Sequence, residues 1–138
     1  MNRVDVLLIL VAVALMIAGC NQTAPDSSSK VEPVAEHAVL VYLKLSGDGF
    51  GTAEERNQIH ELTDLLETAI ETKNAGEFDG DEFGDGQCTL FMYGPNADTL
   101  FQAVEPILRD SPLSSGGHAI KRYGEASAAD AKEVRVDF

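Results

Sequence analysis

The chain has 138 residues, enough for one small domain with extensions, and carries 23 Asp and Glu against 10 Lys and Arg, a net charge of −13. That balance excludes nucleic acid, whose phosphates demand a basic surface, and excludes docking on anionic lipid, which needs Lys/Arg clusters. Two cysteines, Cys20 and Cys88, cannot build a disulfide framework.

The chain begins with Arg3 and then an unbroken apolar run from Val6 to Ala18. The run is shorter than the roughly 20 residues that span a bilayer as a helix, and it suits the apolar core of a secretory signal. It ends Ile17-Ala18-Gly19-Cys20. That ending resembles the lipobox of bacterial lipoprotein precursors, in which an aliphatic and two small residues precede an invariant cysteine. The resemblance covers the first twenty residues. It implies that residues 1–19 are a signal peptide cut before Cys20, which carries diacylglycerol on sulfur and becomes the acylated N-terminus. Ile17 stands where the family usually has Leu. Asn21, not Asp, follows the cysteine, which by the same resemblance points to an outer membrane, facing the periplasm, in a Gram-negative envelope. Several acyl chains anchor stably where one does not. The competing readings are a plain signal peptide with a chance cysteine and an uncleaved N-terminal anchor.

Residues 20–36 form the lipidated N-terminus and a tether. The stretch NQTAPDSSSKVEPVAE is rich in Ser, Pro and charge and has no face to bury, so it reads as disordered. The domain is expected over 37–124. HAVLVYLKLS alternates as a strand, with Val39, Val41, Leu43 and Leu45 on one face and Leu40, Tyr42 and Lys44 on the other. Thr52 and Glu55 form a capping box. A helix follows to about Lys73, with Ile59, Leu62, Leu66, Ala69 and Ile70 as its apolar stripe and Gly76 as its stop. A short strand and a turn lead into QCTLFMYG, which places Cys88, Leu90 and Met92 opposite Thr89, Phe91 and Tyr93. Asn96 caps a second helix that buries Leu100, Phe101, Val104, Ile107 and Leu108, and Pro106 is expected to kink or break it. HAIKRYG is a further strand. Residues 125–138 are a linker and the alternating EVRVDF, able to add an edge strand. The order β-α-β-β-α-β matches a ferredoxin-like α+β sandwich, with two helices on one face of a sheet.

The acidic stretch EFDGDEFGDG, residues 77–86, is the first candidate site. Asp79, Asp81 and Gly84 fit the start of a calcium loop, but Phe83 and Leu90 occupy positions that need oxygen ligands. What remains is a hairpin in which Gly84 and Gly86 take positive φ, or a looser metal site on Asp79, Asp81, Glu82 and Asp85. The glycines of SGDGFG match no phosphate-cradling spacing, and Asp48 would repel phosphate. His37, His60 and His118 share no local motif, so no catalytic constellation and no cofactor emerge. Cys88 alternates with Leu90 and Met92 as a small hydrophobe, with a reactive thiol as the other reading.

The sheet face left without helices is more informative. It is expected to carry Leu40, Tyr42, Lys44, Thr89, Phe91, Tyr93, Lys121 and Tyr123. That is too apolar for an idle surface unless the segment around Val134, Val136 and Phe138 covers it. It resembles RNA-binding sheets in its aromatics, but the acidic charge and the exported context exclude RNA. The runs LSGDGFGTAEER, GEFDGDEFGDG and LFMYGPNADTLFQAVEPIL are similar to a group of small bacterial proteins with no assigned activity. That resemblance implies a domain over residues 39–123 and supplies no catalytic residue. The sequence therefore points to a non-enzymatic, lipid-anchored binding module with a protein partner or self-association. The alternative is a small envelope enzyme or metal-dependent binder built on the acidic turn.

Overall fold

The computed structural model describes residues 36–138 except Asp48; Cys20 and the segments ahead of Glu36 lie outside the described residues. The elements run β1 (His37–Lys44), α1 (Ala53–Lys73), β2 (Glu77–Gly84), β3 (Gln87–Gly94), α2 (Ala97–Asp110), a 3₁₀ turn (Pro112–Ser114), β4 (His118–Tyr123) and β5 (Lys132–Asp137). The five strands form one antiparallel sheet in the order β2-β3-β1-β4-β5. The domain is thus mixed α+β, and the C-terminal segment supplies the fifth strand.

Local chemistry sets each helix. At the start of α1, the Thr52 side chain accepts the Glu55 N–H, and the Glu55 carboxylate accepts the Thr52 N–H, at 3.1 and 2.7 Å. The same carboxylate accepts the Ser46 N–H and hydroxyl, both at 2.8 Å, tying the end of β1 to the helix start. These bonds, first the one from the Thr52 backbone and then those from Ser46, pull the Glu55 carboxyl down to about 2. α1 ends at Asn74, which takes the left-handed cap conformation at φ 48°; Gly76 is not the stop. Gly76 serves a close crossing instead. At φ 153°, a Cβ there would collide with the Tyr93 carbonyl oxygen. Asn96 caps α2 by accepting from the Asp98 and Thr99 N–H groups. α2 runs unbroken through Pro106 to Asp110. Pro106 lies in the last turns on the exposed side, where the Gln102 carbonyl it leaves without a donor can face water rather than core.

The core lies between the helices and one face of the sheet. Val39, Val41 and Leu43 of β1, Cys88, Leu90 and Met92 of β3 and Ala119 of β4 pack with Ile59, Leu62, Leu66 and Ile70 of α1 and Leu100, Val104 and Leu108 of α2. Apolar area removed from water at about 25 cal/mol per Å² holds these layers together.

Candidate functional site

Strand alternation builds the opposite face. Residues paired directly across antiparallel strands share a face, so Leu40 fixes its neighbours. It lies between Phe91 on β3 and Ile120 on β4. One row along, Tyr42 lies between Thr89 and His118; in the other direction, Ala38 lies between Tyr93 and Arg122. Lys44 pairs with Gln87 at the end. Tyr42 and His118 stack with ring centroids 4.7 Å apart and planes 13° from parallel. Burial lowers the His118 pKa, Arg135 lowers it further and Asp137 acts the other way. Leu40, Tyr42, Phe91, Tyr93 and Ile120 are half-buried, Ala38 and Thr89 are buried, and Lys44 is exposed. Among the described residues, no helix or strand packs over them.

Two residues expected on this face are elsewhere. Lys121 pairs with Val39, and Tyr123 follows it on the same side, which is the helix face. There the Lys121 Nζ and the Tyr123 hydroxyl both donate to Asp98 Oδ1 at 2.7 Å, and Lys121 lies 5.5 Å from the centre of the Phe101 ring. The bond from Lys121, then that from Tyr123, lowers the Asp98 pKa, and the Asp98 partner raises that of Lys121. This polar group closes the end of the core beside the start of α2. His37 opens β1 there; its Nδ1 accepts the Ala97 N–H at 3.2 Å, and its ring meets Tyr123 edge-on. Two residues not expected on the open face, Ile120 and Arg122, replace Lys121 and Tyr123. The C-terminal segment does not cover the face either. Val134 and Val136 pair with Lys121 and Ala119, and Val136 and Phe138 pack toward the core on the helix side.

The acidic stretch is a strand and a turn. β2 extends to Gly84, and Asp85 and Gly86 take φ of 51° and 75°, a two-residue hairpin turn of type I′. Gly84, expected at positive φ, is not among the positive-φ residues. Alternation turns Asp81, paired with Leu90, to the helix face and Glu82, paired with Thr89, to the open face. Asp79 sits in the bulge between Phe78 and Gly80, and Asp85 in the turn. Among the described residues, no three His, Cys, Asp or Glu side chains converge on a cation position. Cys88 has no exposed surface, and burial, with a smaller effect from Asp81, pushes its thiol up to about 12. It is packing, with no thiolate at neutral pH.

A concavity at the β2–β3 corner, lined by Glu82, Gly84, Asp85, Gln87 and Thr89, holds about 120 Å³. Small-molecule sites run to about 300–1,000 Å³, so this corner falls below their size. Among the described residues, no helix is long and apolar enough to cross a membrane. No family model, no curated protein and no solved structure matches the chain.

Proposed function

We propose that this is a lipid-anchored, non-catalytic interaction module of the bacterial cell envelope, held by Cys20 in the outer membrane facing the periplasm. In this reading the domain is a ferredoxin-like split β-α-β fold with β5 added at one edge. The element order and the run β2-β3-β1-β4 in the sheet support it. The anchor rests on Ile17-Ala18-Gly19-Cys20 behind an apolar run.

One observation carries the interaction role. The face formed by Leu40, Tyr42, Phe91, Tyr93 and Ile120 has both helices on its far side and an apolar centre bordered by polar groups. An apolar, aromatic centre with a polar rim is the anatomy of protein interfaces. The test is photocrosslinking in intact cells from a benzophenone amino acid at position 42, with position 67, on the exposed side of α1, as control. Position 42 is expected to yield a protein adduct that the Phe91→Ala/Tyr93→Ala double variant loses. No adduct, or an equal yield from position 67, refutes the interaction role. Cys20→Ser is expected to leave the membrane fraction; a variant still acylated and membrane-bound refutes the anchor.

A further inference from the structure

We propose that the groove between α1 and the end of α2 binds a small organic cation with an apolar body, an alkyl- or arylamine. The proposal goes beyond the sheet-face reading, because this groove lies on the helix side of the domain. The fold sets its position. β1 and β3 are antiparallel, so the helices that follow them run in opposite directions, and the first turns of α1 lie beside the last turn of α2. Leu62 and Leu65 of α1, with Ile107 of α2 and Leu113 of the 3₁₀ turn, form the apolar lining of the groove between them. Leu62 is buried, and Ile107 and Leu113 are half-buried. Leu65 is, with Phe50, one of the two large hydrophobic side chains left exposed among the described residues.

The charge of the groove has one sign. Glu61 and Asp110 border it, and no Lys, Arg or His does. Both carboxylates are exposed, and among the described residues neither has a cationic partner. The last turn of α2 brings the negative end of its helix dipole to the same place. An anion there would meet repulsion from two carboxylates, a helix C-terminus and a chain of net charge −13. A cation with an apolar body complements the lining and the rim together. Asp110 also borders a second hollow, of about 700 Å³, but Arg109 lines that one as well, so its charge selects neither sign.

The groove holds about 470 Å³, inside the range of about 300–1,000 Å³ common to small-molecule sites. It is open to solvent along one side. The charged end of a bound amine therefore stays in water beside Glu61 and Asp110, while its body lies against the apolar side chains. Exposed ion pairs are weak one by one. The carboxylates accordingly set the sign of the ligand's charge, and the apolar lining supplies most of the hold.

The experiment uses the full-length chain in nanodiscs of zwitterionic lipid and three benzophenones, bearing a para aminomethyl, hydroxymethyl or carboxylate group. Irradiation at neutral pH is followed by peptide mapping. The aminomethyl probe is expected to label residues 58–65 or 107–113 saturably, about tenfold more than the carboxylate probe. Glu61→Gln/Asp110→Asn is expected to bring it down to the level of the hydroxymethyl probe, whose own labelling stays unchanged and reports an intact groove. Leu65→Lys, at an exposed position, is expected to lower labelling by the amine and raise that by the carboxylate, and it decides the matter where the double variant loses the groove. Equal labelling by the three probes overturns the proposal. So does amine labelling left unchanged by these variants. Labelling of β2 to the same degree overturns it too, since Glu77, Asp79, Asp81 and Glu82 there attract cations without a groove.

Discussion

Leu65 and Leu66 are chain neighbours in α1, and the helix sends them opposite ways. Leu66 has no exposed surface, whereas Leu65 keeps 58 % of its surface in water. Leu66 packs in the core with Ile59, Leu62 and Ile70 below the sheet. Truncating it loses the transfer free energy of its branched end and leaves a cavity that a two-layer core closes only partly, a cost of about 3 kcal/mol. Leu65→Ala removes a side chain already mostly hydrated, and alanine's helix propensity offsets part of the rest, leaving about 0.5 kcal/mol or less. In a domain of this size, each kcal/mol moves the thermal midpoint by about 4–8 °C, so Leu66→Ala should fall by about 12 °C or more. Leu65→Ala should stay within about 4 °C of the parent. Far-ultraviolet circular dichroism during heating reads both. Equal shifts, or a larger one for Leu65→Ala, would refute the packing of α1 on this sheet.

Glu55 predicts an acid limb. Its carboxyl lies below its ordinary 4.5, at about 2, so its contribution is full above 4.5 and is lost as the pH falls toward about 2. Glu55→Gln should lower the urea midpoint at neutral pH and flatten its decline in that window; an unchanged acid limb refutes the role of Glu55 as the knot between β1 and α1. Gly76→Ala should cost about 2 kcal/mol or more in chemical denaturation, because backbone strain and a carbonyl collision coincide. Gly84→Ala, with nothing within 4 Å of an added Cβ, should stay within about 0.5 kcal/mol. In a Cys20→Ser chain, Cys88 should resist a thiol reagent at neutral pH until the protein unfolds, since its thiol is pushed up to about 12. Rapid labelling of the native chain would show that strand β3 opens or lies otherwise.

The legible parts of the fold are those decided within a few residues. The Thr52/Glu55 box, the Asn96 cap and the alternation of β1 and β3 are local patterns, and each appears where the spacing puts it. The Asp85-Gly86 turn was equally legible: Asp-Gly between two alternating runs is a type I′ hairpin signal, and it assigns positive φ to Asp85 rather than Gly84. β4 is different. His118, Ile120 and Arg122 are about as apolar as Ala119, Lys121 and Tyr123, so alternation alone does not choose the inward set. The inward set is seen only at long range, where Ala119 lies buried beneath the helices and Asp98 accepts from both Lys121 and Tyr123. Two signals bear on it: a small alanine suits a position pressed beneath a helix, and Asp98 stands in the first turn of α2. The candidate face shifted by two residues for that reason, while its centre on β1 and β3 stayed in place.

His37 opens the middle strand of the sheet, so whatever precedes it enters the fold at its centre. β1 is bonded along its length to β3 from His37 to Lys44 and to β4 from Ala38 to Tyr42. A load arriving through the preceding chain therefore pulls along β1 and must shear two antiparallel ladders together. Peeling an edge strand would break its bonds one pair at a time. With the anchor proposed above ahead of His37, this connectivity puts a strand paired on both sides at the point of attachment.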